Sequence, residues 1–195
     1  MTATATTASA AEPTLRERQA PLKARYDAEP ESARLTIAVR SVTEGSDPTR
    51  CRISTVPADG GETVAWDGAA HPYAGGPSDM ACSGDLLLAS LAACQEITLR
   101  MVATAMGIEL KKVDLTVEGD MDFRGTMGID PETPVGFSAI RTAVRIDADA
   151  PPERLEKLRQ RAERYCVVSA TLRQSPDVRL TIEGGSTAAG EAAGA

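Results

Sequence analysis

The chain is poor in aromatic residues. One Trp, three Tyr and two Phe make up 3% of its 195 residues, so its core has to be built from Leu, Val, Ile, Ala and Met. Histidine is scarcer: His71 is the only one. None of the four cysteines forms a C-x-x-C pair, and His71 is not at ligand spacing from any of them. A zinc site, which needs about four ligands in close pairs, is therefore not expected. A basic excess is also missing: 21 Lys and Arg stand against 28 Asp and Glu, a net charge of −7. That excludes the basic face needed to bind nucleic acid or an anionic membrane. The longest apolar stretch is interrupted by Asp85, Gln95, Glu96 and Arg100, well short of the ~20 residues of a membrane span. MTATATTASAAEP at the N-terminus has neither the basic region nor the apolar region of a signal peptide. The expected compartment is cytoplasmic. There, thiols start reduced and a disulfide is redox-active rather than structural.

What remains is 42% apolar and 25% charged, the composition of a soluble globular protein with one domain. Residues 1–30 read as a flexible or arm-like segment, 31–184 as the single domain and 185–195 as a disordered tail. Arg34 to Val42 alternates, with Leu35, Ile37 and Val39 on one side, and predicts a half-buried strand. Cys51–Val56 and Glu62–Asp67 predict two more. After a Gly/Pro/Ser-rich loop over 68–82, a long helix is expected from about Gly84 to Met106, stopped by Gly107. Leu110–Phe123 and Phe137–Ile146 alternate as strands. A second helix begins after Asp149, with Leu155, Leu158, Ala162 and Cys166 as its inner stripe. Val178, Leu180 and Ile182 predict a last strand. The expected fold is α+β, in the order βββ–α–ββ–α–β.

Cys94 and Cys166 are the residues with candidate chemistry. Each falls on or beside the apolar stripe of one of the two helices. A cysteine so placed is either a small core hydrophobe or, if the stripes pack together, half of a redox pair. Cys51 reads as a buried strand residue, His71 as a surface or packing residue, and Trp66 and Phe137 as core. Cys82 reads as structural; a third redox partner and a substitute resolving thiol are the alternatives.

Gly75-Gly76-Pro77, Gly84-Asp85-Leu86-Leu87-Leu88-Ala89-Ser90-Leu91-Ala92-Ala93-Cys94 and Thr98-Leu99 resemble the first signature of the OsmC/organic hydroperoxide resistance family. Ala162 and Cys166-Val167-Val168-Ser169 resemble its second. The resemblance spans roughly residues 34–183. It implies an intertwined homodimer in which antiparallel sheets wrap around central helices. It also implies a thiol-dependent peroxidase that reduces organic hydroperoxides without metal or other cofactor. Cys94 would be the peroxidatic thiol and Cys166 the resolving one, with an external dithiol, of lipoyl type by the same resemblance, as reductant. Asp85 would be the carboxylate that holds an activating arginine, for which Arg40, Arg50 and Arg52 are candidates and Arg52 is preferred. Two features depart from the family. Asp85 is shorter than the usual glutamate, and Val167 stands where proline is common. These departures leave a non-catalytic ligand-binding or redox-sensing dimer as the alternative reading.

Overall fold

Alternation in the first third of the chain produces a three-stranded antiparallel sheet. The computed structural model describes residues 12–184 apart from Glu44 and Glu62, and the statements below concern those residues. The tails expected at 1–11 and 185–195 lie outside them. Strand β1 (Ala38–Val42) pairs with β2 (Arg50–Val56), Ala38 opposite Val56 and Val42 opposite Arg52. β2 pairs with β3 (Ala65–Ala69), Cys51 opposite Gly68. Before the sheet comes α1 (Leu15–Ala28), opened by a capping box in which Thr14 and Glu17 satisfy each other's backbone N–H groups. The arm-like segment therefore contains a helix, although no residue of that helix is buried.

β3 leads towards the long helix through a loop that doubles back tightly. A Cβ on Gly76 would lie 1.8 Å from the Ala70 carbonyl oxygen, so only glycine fits there. Ala69 then bridges Cys82 in parallel, tying the sheet to the mouth of α2 (Ser83–Ala105). Leu and Ala dominate α2, and straight-chain or small side chains lose little rotamer freedom in a helix. It stops at Gly107, whose φ of +63° suits a residue without Cβ. By length and composition alone α2 could cross a membrane. Here it packs against the elements that follow it.

The second sheet is a hairpin of two long strands, β4 (Leu110–Asp120) and β5 (Ala139–Ala148), with Val113 opposite Ile146 and Leu115 opposite Val144. The short helix α3 (Phe123–Thr126) lies in their connection. Helix α4 (Pro152–Tyr165) packs on α2. Leu99, Ala103, Ile108, Leu158 and Ala162 form the core, surrounded by Val102, Met106, Leu110, Val113, Ile146 and Leu155. Removing a side chain like Leu158, fully buried in that core, costs about 2–5 kcal/mol.

Three expectations are corrected. β1 begins at Ala38 rather than Arg34, and every residue in it is exposed; Leu35 and Ile37 are 72% and 84% exposed. β3 is displaced toward the loop, ending at Ala69 rather than Asp67. Residues 178–182 form no strand, and Val178, Leu180 and Ile182 are all more than 80% exposed. The alternation is real in each case. A strand also needs a hydrogen-bonding neighbour and a covering layer, and within one chain the last segment has neither.

Candidate active site around Cys94 and Cys166

Cys94 sits near the middle of α2 and is half-buried. Its partner is positioned by a break that periodicity did not reveal. The stripe Leu155, Leu158, Ala162, Cys166 suggested one continuous helix. Instead α4 ends at Tyr165, Cys166 adopts φ −75° and ψ 106°, and a new helix, α5 (Val167–Arg173), begins. The backbone stays tethered through the break. Cys166 N–H donates to the Ala162 carbonyl at 3.1 Å, and Ala170 N–H donates to the Cys166 carbonyl at 2.9 Å. The Cys166 thiol is fully buried and accepts the Ser169 N–H at 3.5 Å, capping α5.

The break turns backbone N–H groups toward Cys94. Burial raises the Cys94 pKa, but four hydrogen bonds outweigh it and bring the thiol below its ordinary value. They come from the Val168 N–H, the Cys166 thiol, the Thr98 hydroxyl and the Val167 N–H. Cys166 moves the other way. Burial raises its pKa, the Ser169 N–H only partly offsets this, and the neighbouring Cys94 raises it further by hydrogen bonding and like charge. The two thiols are thus displaced in opposite directions, Cys94 toward the charged form and Cys166 toward the neutral one.

A cavity of about 1060 Å³ lies between α2, the β4–β5 hairpin, α4 and α5; neither Cys94 nor Cys166 is among the residues that line it. Its walls include Leu91, Leu99, Leu115, Ile140, Val144 and Leu155. At its rim Arg159 pairs with Glu156 at 2.7 Å and with Glu163 at 2.9 Å, and Arg173 also pairs with Glu163. Phe137 separates this cavity from a second one of about 630 Å³ at the mouth of α2, which it also lines. Gly119 makes room for that ring: a Cβ there would lie 2.6 Å from two of its atoms.

The remaining predicted residues occupy the helix mouth or the first sheet. Asp85 accepts the Cys82 N–H at 2.9 Å, and the Cys82 thiol accepts the Asp85 N–H at 3.4 Å. This reciprocal cap lies nine residues before Cys94, about 13 Å along the helix, and Asp85 is not among the groups touching that thiol. Arg50 is held by Asp47 and Asp79, and Arg52 by Asp67 at 2.9 Å; Arg40 is exposed. Within one chain none of the three appears among the groups acting on Cys94. Cys51 is half-buried beside the Gly68 carbonyl. His71 stacks with Tyr73 and Phe123 and accepts the Tyr73 N–H through Nδ1. The described residues include no His/Cys/Asp/Glu group able to hold a metal. Sequence reasoning missed Thr98 as a donor to the thiol, although its place one turn after Cys94 was visible. It also missed the Val167 and Val168 N–H groups, which no side-chain pattern could mark.

A family model described as OsmC-like protein matches residues 76–181. Among solved structures, an OsmC-like protein from Mycoplasma pneumoniae is similar at 18% identity and a TM-score of 0.56, covering 72% of this chain and 89% of that one. An organic hydroperoxide resistance protein OsmC from Legionella pneumophila is similar at 23% identity and a TM-score of 0.51, covering 73% and 92%. An organic hydroperoxide resistance protein from Elizabethkingia anophelis is similar at 16% identity and a TM-score of 0.52, covering 73% and 91%. At these identities the likeness establishes the fold. No curated protein matches the chain.

Proposed function

The chain belongs to the OsmC-like protein family, and on that premise we propose that it is a thiol-dependent peroxidase acting on organic hydroperoxides in oxidative stress defence. The observation that carries this reading is the contact between the Cys94 and Cys166 thiols, with their pKa values displaced in opposite directions. In the reaction, the Cys94 thiolate attacks the terminal oxygen of R–O–O–H and the O–O bond breaks. R–O⁻ leaves and takes a proton, and Cys94 becomes a sulfenic acid. The Cys166 sulfur displaces that hydroxyl as water and a disulfide forms. An external dithiol then supplies two electrons and two protons to restore both thiols. The N–H groups of Val167 and Val168 and the Thr98 hydroxyl hold the thiolate before attack. Asp85 is a positioning residue in this scheme, fixing the first turn of the helix that carries Cys94.

The working unit is a homodimer. Apolar side chains stand exposed on several elements: Val39 on β1, Ile97 and Met101 on α2, and Val178, Leu180 and Ile182. A second copy would cover these surfaces and supply the missing strand neighbour.

The test is direct. Reduced protein is treated with tert-butyl hydroperoxide and its free thiols are counted. Loss of two thiols per chain, abolished by Cys94→Ser, supports the scheme; unchanged thiols overturn it. The cavity of about 1060 Å³ favours one other reading, a non-catalytic ligand-binding dimer. Inert thiols together with a small molecule retained in native mass spectrometry would select it.

A further inference from the structure

We propose that α5 is a redox-sensitive latch: a disulfide between Cys94 and Cys166 takes away the sulfur acceptors that hold its first turn, and the turn unwinds. This inference rests on the two thiols forming a redox pair and names how oxidation of that site would change the fold.

α5 is seven residues long, and a helix that short forms poorly on its own because nucleation is costly. It has little else to lean on. Ser169 is its only buried residue, and Val167 and Leu172 are 70% and 38% exposed. At the far end Arg173 pairs with Glu163 of α4, an exposed ion pair that contributes little. What remains is the cap. The Cys166 sulfur accepts the Ser169 N–H at 3.5 Å. The N–H groups of Val167 and Val168, which have no acceptor within the helix, hydrogen-bond the Cys94 sulfur. The first three N–H groups of α5 therefore all end on one sulfur or the other.

Disulfide formation changes both acceptors at once. The Cys94 sulfur can no longer carry the charge that its donors favour, and a neutral disulfide sulfur accepts more weakly than a thiolate. The Cys166 sulfur has to turn toward Cys94 to bond it, away from the Ser169 N–H. Three N–H groups are left facing sulfurs that hold them weakly, and a short, exposed helix loses its start. The oxidised protein then presents a segment, Val167–Arg173, that the reduced protein keeps wound.

The experiment compares the full-length protein in its reduced form and after treatment with diamide, an azo oxidant. Diamide forms the disulfide without peroxide: the two S–H groups give two electrons and two protons to its N=N bond, and one S–S bond forms. Peptide mapping identifies the Cys94–Cys166 bond, and hydrogen–deuterium exchange reads the amides of Val167–Thr171. The expected result is exchange about two- to thirtyfold faster in the disulfide form, the range that follows from losing a helix cap, with α4 and the body of α2 unchanged. Two variants separate the cap from the oxidation. Cys166→Ala should speed exchange while the protein is still reduced. Cys166→Ser keeps a capping oxygen and forms no disulfide with Cys94, so it should stay slow after diamide. Four outcomes would overturn the inference. Exchange over Val167–Thr171 is equal in the reduced and disulfide forms; the acceleration spreads through α2 and α4; diamide accelerates Cys166→Ser as much as the wild type; or no Cys94–Cys166 bond forms. Thiol loss under tert-butyl hydroperoxide is scored separately. A disulfide formed by peroxide with α5 unmoved would keep the peroxidase and remove the latch. Release of α5 by diamide with thiols inert to peroxide would keep the latch and remove the peroxidase.

Discussion

Two cysteines in this chain do the same local job in different company. Cys82 caps α2 by accepting the Asp85 N–H at 3.4 Å, and Cys166 caps α5 by accepting the Ser169 N–H at 3.5 Å. Both are buried. Cys82 is paired with a carboxylate that holds its own backbone N–H. Cys166 has a second thiol against it, on a helix 72 positions away in the sequence. Capping is therefore local geometry and says nothing about reactivity. In the proposed scheme, redox competence would come from the tertiary contact with Cys94, which Cys166 has.

Replacing the reactive thiols should break this comparison most sharply. Cys94→Ser is expected to reduce hydroperoxide turnover by about a thousandfold or more, measured as peroxide consumption in the presence of a dithiol. Cys166→Ser should still react once. Its Cys94 would stop at the sulfenic acid, seen in intact mass as one added oxygen and trapped by a dimedone reagent. Cys82→Ser should leave turnover within about twofold, because serine is a good cap and the thiol has no redox neighbour. Equal losses from Cys82→Ser and Cys166→Ser would erase the distinction.

Next in size is an effect on the backbone around Cys166. Val167→Pro deletes one N–H donor to Cys94. Proline suits the first position of a helix, and the extended φ and ψ of Cys166 suit the residue before a proline, so the variant should fold. Val167→Ala keeps the N–H and is the control; the Val167 side chain is 70% exposed. The sign follows from the direction of the shift. A depressed pKa keeps Cys94 charged to lower pH, so alkylation by iodoacetamide rises with pH through a midpoint below the ordinary thiol value. Val167→Pro should move that midpoint upward and slow alkylation below it, because one of the donors that lower the Cys94 pKa is gone. An unmoved midpoint would mean the Val168 N–H, Thr98 and Cys166 suffice.

How much of this was legible in the sequence depends on the range of the cause. The helix mouth was visible only in part: Asp85 suits a first turn, but Ser83 and Asp79 are the usual capping side chains there, and the cap is instead the Cys82 thiol. The body of α2 was visible too, because leucine and alanine persist to Gly107. β4 and β5 showed their alternation; their register, which sets Val113 opposite Ile146 and Leu115 opposite Val144, was not legible. The break at Cys166 was not visible. The stripe Leu158, Ala162, Cys166 fits an unbroken helix, and nothing in Val167 or Val168 announces a new one. The strand read at 178–182 failed for a different reason: alternation is local, whereas pairing needs a neighbour, and no described strand pairs with that segment. Cys94 and Cys166 were found by family signature as much as by spacing. Thr98 lies within that signature, but nothing in the sequence marks its hydroxyl as a donor to Cys94.

A smaller effect is expected at the cavity between the two caps. Gly119→Ala would place a methyl group 2.6 Å from the Phe137 ring, and β4 must shift or the ring must turn. The cost should be about 1–3 kcal/mol in denaturant unfolding. Because Phe137 also lines the cavity between α2 and the β4–β5 hairpin, the variant should raise KM for bulky hydroperoxides more than for hydrogen peroxide if that cavity holds the substrate. A stability loss with no change in this ratio would confine Phe137 to packing.

The smallest effect should come from Asp85→Asn. The amide oxygen can still accept the Cys82 N–H, so the reciprocal cap survives while its charge is lost. First-turn charge contributes a few tenths of a kcal/mol to about 1 kcal/mol, and the melting temperature should fall only slightly. Turnover should stay within about twofold, since the carboxylate lies about 13 Å along the helix from Cys94. Cys82→Ala, which removes the cap acceptor, should cost more, about 0.5–2 kcal/mol, again with turnover retained. A tenfold loss of turnover in Asp85→Asn, with an upward shift of the Cys94 alkylation midpoint, would show that the carboxylate reaches the thiol through an intermediary cation. The two caps would then belong to one site, and the line drawn between them would have to move.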